Sequence, residues 1–226
     1  MHMIAKGKSD CEAERDTIVQ GFNDLLRVLK DAKNRTEEHA KAALYDIIHD
    51  ESLSDEERRT EMKGYTDLLS EQEETDIKIR RTILIGLFSF WETSLRNICD
   101  YYKIAVKKAN IRKAPNKLKP DKAPIYNVTD YLTAIFHSNL PDTLELINSK
   151  IKELRNYMTH GSADAERMAI VDSLITDHPE FGIRKTANHY HIASYDGLDH
   201  ILKVLNDGTV RAEMTAKTLE RQTNQS

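Results

Sequence analysis

Arg155, Asn156 and His160 lie in the stretch Ile147 to Gly161, and their types and spacing suit acid–base chemistry on an anion. An imidazole with an ordinary pKa of about 6.5 can take or give a proton near neutrality. A guanidinium stays charged, and its planar fork holds developing negative charge on two oxygens at once. The amide of Asn156 has no useful acid or base function, but one turn before His160 it can orient the imidazole or bond an anionic oxygen. The spacing puts the three together. Ile147, Ile151, Leu154 and Met158 recur at four, three and four residues, which fixes the buried stripe of a helix. At about 100° per residue Asn156 and His160 then fall on the opposite side, with Arg155 on the flank. That side faces solvent in a monomer or a second copy of the same helix in a dimer. The same residues also fit a plain solvated face with a histidine near the helix C-terminus, where a cation meets the dipole favourably.

The elements around this helix are also read as helical. Only eight Gly and five Pro interrupt the 226 residues, and Ala, Leu, Glu, Lys and Arg are abundant, so the expected class is all-α. Ile18, Phe22, Leu25, Leu26 and Leu29 mark a first amphipathic helix from Asp10 to Lys30, and a second is expected from Thr36 to His49. Ser54 with Glu57 forms a capping box for a third, which ends at the acidic run Glu71 to Glu74, read as exposed surface. The helix from Thr75 to Lys108 is apolar nearly all round (Leu84, Leu87, Phe88, Trp91, Leu95, Ile98), so it should be central and buried. Ala109 to Asn127 contains Pro115, Pro120 and Pro124 and is read as an exposed basic loop. A short helix from Thr129 to His137 precedes Pro141, which opens the helix carrying Arg155, and Ala163 to Asp177 is helical again. Alternation in Phe181 to Lys185 and His189 to Tyr195 predicts a small β-hairpin, and a last helix from Gly197 is expected to be interrupted near Gly208.

Arg155-Asn156-x-x-x-His160 followed by Gly161 resembles the R-N-x-x-x-H form of the motif of the HEPN superfamily. An apolar helix with an embedded acid, here Phe88-Ser89-Phe90-Trp91-Glu92, followed downstream by the Arg-Asn-His helix, is similar to that superfamily's helical core and extends the resemblance to about Thr75 to Leu205. It implies a HEPN-like helical bundle over residues 75–226, with residues 1–74 as an N-terminal helical extension. It also implies a metal-independent endoribonuclease without cofactor, working at a site where two motif helices meet in a homodimer. In such a reaction His160 would act as base for the 2′-hydroxyl or acid for the 5′-oxygen, and Arg155 would hold the phosphorane-like transition state. Glu92 would be an auxiliary of that site, or else a buried acid paired with a nearby Arg. By family analogy the role is in a toxin–antitoxin system or antiviral defence, with RNA as substrate and an antitoxin or regulatory protein as further partner. The alternative is a non-catalytic HEPN-like module that binds RNA or protein. A second Arg-x-x-x-x-His, Arg184 to His189, lacks the Asn and sits in a strand-like segment without a helical stripe.

Charge and composition limit the rest. Thirty-seven acidic against 33 basic residues exclude a global polycation, so RNA must meet local basic patches. One such patch is the loop residues Lys107, Lys108, Arg112, Lys113, Lys117, Lys119 and Lys122, which would grip phosphates or simply be solvated. His189 and His191 share one strand face, either as two ligands of an incomplete metal site or as exposed strand residues. Cys11 and Cys99 are the only cysteines, so no disulfide framework or zinc site is expected. The longest strongly apolar run, Thr82 to Trp91, is too short to span a bilayer, and Met1 to Ser9 lacks a signal-peptide core. No membrane association is expected, and a reducing cytoplasm is the expected compartment. No Gly-rich phosphate loop of the nucleotide-binding folds occurs.

Overall fold

The computed structural model describes residues 10–107, 127–137, 139–161, 164–187 and 189–223. Two long antiparallel helices dominate it, α1 (Asp10–His49) and α2 (Asp55–Tyr101). The turn between them is set by the predicted box: Ser54 accepts from the Glu57 backbone N–H, and the Glu57 carboxylate accepts from the Ser54 backbone N–H. Shorter elements follow: α3 (Val128–Phe136), α4 (Asp142–Leu146), a π-turn (Ile147–Ile151), α5 (Lys152–His160) and α6 (Ala165–Asp177). The antiparallel hairpin β1 (Ile183–Thr186) and β2 (His189–Ile192) and the long helix α7 (Tyr195–Thr223) complete the fold.

The all-α expectation holds, including the hairpin, but the helix breaks differ in the N-terminal half. Four helices were expected where there are two long ones. The joints at Asp31–Arg35 and Ser70–Thr75 contain no Gly or Pro, so nothing stops the helix, and good helix formers carry it through. The division expected at residue 74 therefore falls inside α2. The N-terminal part of α1 packs on the same body: Leu26 joins the main core, Arg15 pairs with Glu213 of α7 at 2.6 Å, and Glu12 pairs with Lys217. Similarly α7 runs through Gly208 without interruption. A Cβ there would lie 2.7 Å from Ile147 and 3.0 Å from Leu144, so the missing side chain lets α7 lie close against α4 and the π-turn.

The core is the predicted apolar face of α2. Leu84, Leu87, Trp91 and Leu95 are fully buried against Leu132, Leu144, Ile147, Leu154, Leu198 and Leu205. Between residues 30 and 78 the α1–α2 pair buries only Ala40 and Ile47, leaving a two-helix arm that extends away from this core. The arm is strongly acidic: residues 36–76 hold 14 Asp and Glu against four Lys and Arg. Since the chain as a whole is at -4, everything outside the arm is net positive, and a polyanion would be steered to the body. Among the described residues no helix is long and apolar enough to cross a membrane.

Candidate functional site

The predicted stripe positions α5. Ile147, Ile151 and Leu154 are fully buried and Met158 is 5% exposed, so the opposite side of the helix is turned outward. His160 is the last residue of α5 and is exposed. Gly161 follows in the left-handed conformation (φ 71°), and its N–H donates to Tyr157 O at 2.8 Å, which closes the helix beside the histidine. Asn156 and Arg155 are half-buried, and the Arg155 Nη1 donates to Asn156 Oδ1 at 3.1 Å. The guanidinium carbon lies 5.3 Å from the centroid of the Phe88 ring on α2, a cation–π contact. Arg155 Nε is buried without a hydrogen-bond partner, and no carboxylate pairs with the guanidinium among the described residues. A half-buried guanidinium with no acid paired to it among the described residues is suited to receive an anion.

The other expected site residues are placed differently. Glu92 is half-buried one turn beyond Phe88 and makes no ion pair with Arg155 or His160 among the described residues. Its charge bears instead on Tyr131, whose phenol is pushed up chiefly by burial. Of the basic loop only Lys107 is described, and it is exposed. Lys108, Arg112, Lys113, Lys117, Lys119 and Lys122 lie outside the described residues. His189 and His191 do lie on β2, but among the described residues no three His, Cys, Asp or Glu converge as metal ligands. Both cysteines are free; burial pushes the Cys99 thiol up to about 12, which makes it a poor nucleophile.

The structure adds a groove of about 580 Å³ at the end of α5, between α2 and β2. Gly161 is part of its wall, so the groove begins at the residue following His160. Tyr157 and Tyr190 meet edge to face there, with centroids 5.0 Å apart, and the Tyr157 hydroxyl lies 3.4 Å from His189 Nδ1. Tyr190 anchors the hairpin by donating to Asp172 at 2.8 Å; Lys185 donates to the same carboxylate and keeps it below the usual range. His191 is held below its ordinary value by burial, and then by the charges of Arg80 and Arg184. Lys78 and Arg81 come from α2, and Arg81 Nη2 reaches Thr159 O at 3.5 Å, at the negative end of the α5 dipole. Neither cation has a carboxylate partner among the described residues. Sequence reading missed both, because only the packing of α5 along α2 brings them to this helix end.

Compared with known proteins, the chain matches no family model, no curated protein and no solved structure.

Proposed function

We propose that this protein is a metal-independent endoribonuclease of HEPN type, acting as a homodimer through Arg155, Asn156 and His160 of both chains. The observation that carries the reading is Arg155: a half-buried guanidinium without an acidic partner among the described residues, hydrogen-bonded to Asn156, which lies one turn before an exposed histidine at the helix end. In the reaction the 2′-hydroxyl attacks the adjacent phosphorus, the 5′-oxygen leaves, and the products end in a 2′,3′-cyclic phosphate and a 5′-hydroxyl. One His160 takes the 2′-hydroxyl proton and its counterpart in the second protomer protonates the 5′-oxygen. The two Arg155 side chains hold the non-bridging oxygens as their charge grows. Asn156 fixes the guanidinium and so acts as a positioning residue. The chain would work in the cytoplasm as a toxin of a toxin–antitoxin pair or as a defence nuclease, held in check by an antitoxin or regulatory protein.

The test is incubation of wild type and His160→Ala with labelled total RNA in EDTA, reading the fragments and their end groups. Wild type should give cyclic-phosphate ends, and His160→Ala should lower the rate by about 10²–10⁴-fold, the size of a lost acid–base group. Arg155→Lys should also lose most activity, because a point charge does not replace the bidentate fork.

A second reading, a non-catalytic module that binds RNA or protein, is favoured by the packing of Arg155 on Phe88, a role that needs no substrate. Under it no RNA is cut, and binding survives His160→Ala.

A further inference from the structure

We propose that the groove between α2, the end of α5 and β2 holds one nucleotide of a single-stranded RNA, the one next to the phosphate on which His160 acts. The inference rests on the endoribonuclease reading for the word "acts", but the groove's own chemistry stands apart from it. Its volume, about 580 Å³, falls within the range of roughly 300–1,000 Å³ typical of small-ligand sites. Ile77, Met158, Ile192, Tyr157 and Tyr190 give the lining an apolar share against which a flat base can lie. Lys78 and Arg81 on one wall and His189 and His191 on the other supply donors for the sugar–phosphate backbone, and Glu74 is the single acid of the lining among the described residues. Two permanent cations match one or two phosphodiester charges, not a polyphosphate.

Position decides the rest. Gly161 belongs to the groove wall and His160 precedes it, so a strand lying in the groove continues directly to the exposed imidazole. The acidic arm repels that strand from the far half of α2, which leaves the net-positive body as its path. His189 is oriented by Tyr157 and the strand by the tie of Tyr190 to Asp172, so the hairpin wall is built before any ligand arrives.

The test uses the full chain and a fluorescein-labelled 12-nucleotide 2′-O-methyl RNA, which binds but has no free 2′-hydroxyl to attack. Fluorescence anisotropy is followed over a salt series. Wild type should bind, and Lys78→Glu with Arg81→Glu should weaken binding at least tenfold. The salt slope should flatten by about 1.4, the expected loss for two phosphate contacts on a single strand. Both reversed residues are exposed, and an unchanged thermal melt confirms the fold. A readout in wild type needs no charge reversal: the ring resonances of His189 and His191, assigned through His189→Gln and His191→Gln, should move as the oligomer is added. Absence of wild-type binding, unchanged affinity in the double variant, or unmoved histidine resonances would each overturn the groove. If RNA is never cut but binding depends on Lys78 and Arg81, the nuclease reading falls and the groove stands. If cutting depends on His160 but binding ignores the double variant, the groove falls alone.

Discussion

Two arginines, both stacked on an aromatic ring, show how differently this molecule uses the same side chain. Arg80 on α2 is fully buried and paired with acids: Nε donates to Ile192 O at 2.7 Å and Nη2 to Glu73 at 2.6 Å, while Nη1, like Arg155 Nε, is buried without a hydrogen-bond partner. Asp76 lies 3.8 Å from Nη1, and the Tyr195 ring lies 5.5 Å from the guanidinium carbon. Lys33 of α1 binds Glu73 as well, at 2.8 Å, so one cluster joins α1, α2, β2 and α7. The Tyr195 phenol, buried and donating to Asp76, is pushed up to about 12. Arg155 has a ring and a neutral amide but, among the described residues, no acid. The cell of charges around Arg80 closes on itself and holds elements together. The one around Arg155 is left open, and a charge left without a counter-charge in a half-buried place weakens the fold unless an anion arrives.

The comparison breaks first at Arg80. Arg80→Met should destabilise by about 3–5 kcal/mol, because it leaves Glu73 and Asp76 without their central cation, and should lower Tm by roughly 6–20 °C for a chain of this size. A calorimetric scan checks this; a loss as small as that of an exposed residue would remove the contrast. Glycines at the two regions give the next largest effect. At Gly197 a Cβ would lie 2.2 Å from the Phe181 carbonyl oxygen, so Gly197→Ala must move backbone and should cost about 1–3 kcal/mol or more. At Gly161 a Cβ meets nothing within 4 Å, and only the left-handed φ is penalised. Gly161→Ala should therefore cost only about 1 kcal/mol by urea titration.

Arg155→Ala should change stability by about 1 kcal/mol or less, the loss of one hydrogen bond and one cation–π contact offset by removal of an unneutralised charge. His160→Ala should stay within about 0.5 kcal/mol, as befits an exposed helix-end residue. If RNA cleavage collapses in both while their urea midpoints barely move, the difference between a structural and a reserved arginine is sharpened into a functional one. A large stability loss in Arg155→Ala would put it with Arg80.

Sequence pattern located one of these arginines and not the other. The four apolar residues from Ile147 to Met158 state the period of α5 directly, and with it which side Arg155, Asn156 and His160 occupy. The capping box at Ser54 and the alternation around Tyr190 were legible for the same reason: each is a local signal complete within a few residues. Arg80 was not legible, because its partner Ile192 is 112 residues away and a charge among the mixed residues Lys78 to Arg81 has no local signature of burial. Glu73 was read as part of an exposed acidic run, yet it binds both Lys33 and Arg80. The joints at Asp31–Arg35 and Ser70–Thr75 looked like breaks because their apolar period lapses. On an arm with so little to bury, helix propensity alone carries the chain through them. At the site, Arg81 of α2 reaches Thr159 O at the end of α5, a meeting that only tertiary packing decides.

The smallest effect tests the link between the two regions. His191 lies on β2 beside Ile192, whose carbonyl fixes Arg80, and it also lines the groove near His160. Burial, then Arg80 and Arg184, hold its imidazole below the ordinary value, while Glu73 opposes them. A folded value below the unfolded one means that this contribution is complete above about pH 6.5 and is lost as the pH falls through the folded value, because the unfolded chain binds the proton more readily. Tm should therefore drop slightly more between pH 7 and pH 5 in wild type than in His191→Gln, which cannot titrate. A bound polyanion next to His191 adds the opposite charge and relieves the strain on protonation. Oligonucleotide should then reduce the acid loss in wild type and leave His191→Gln unaffected. If wild type and His191→Gln lose stability equally on acidification, neither burial nor the charges of Arg80 and Arg184 hold the imidazole down, and the link from the structural cluster to the open site falls.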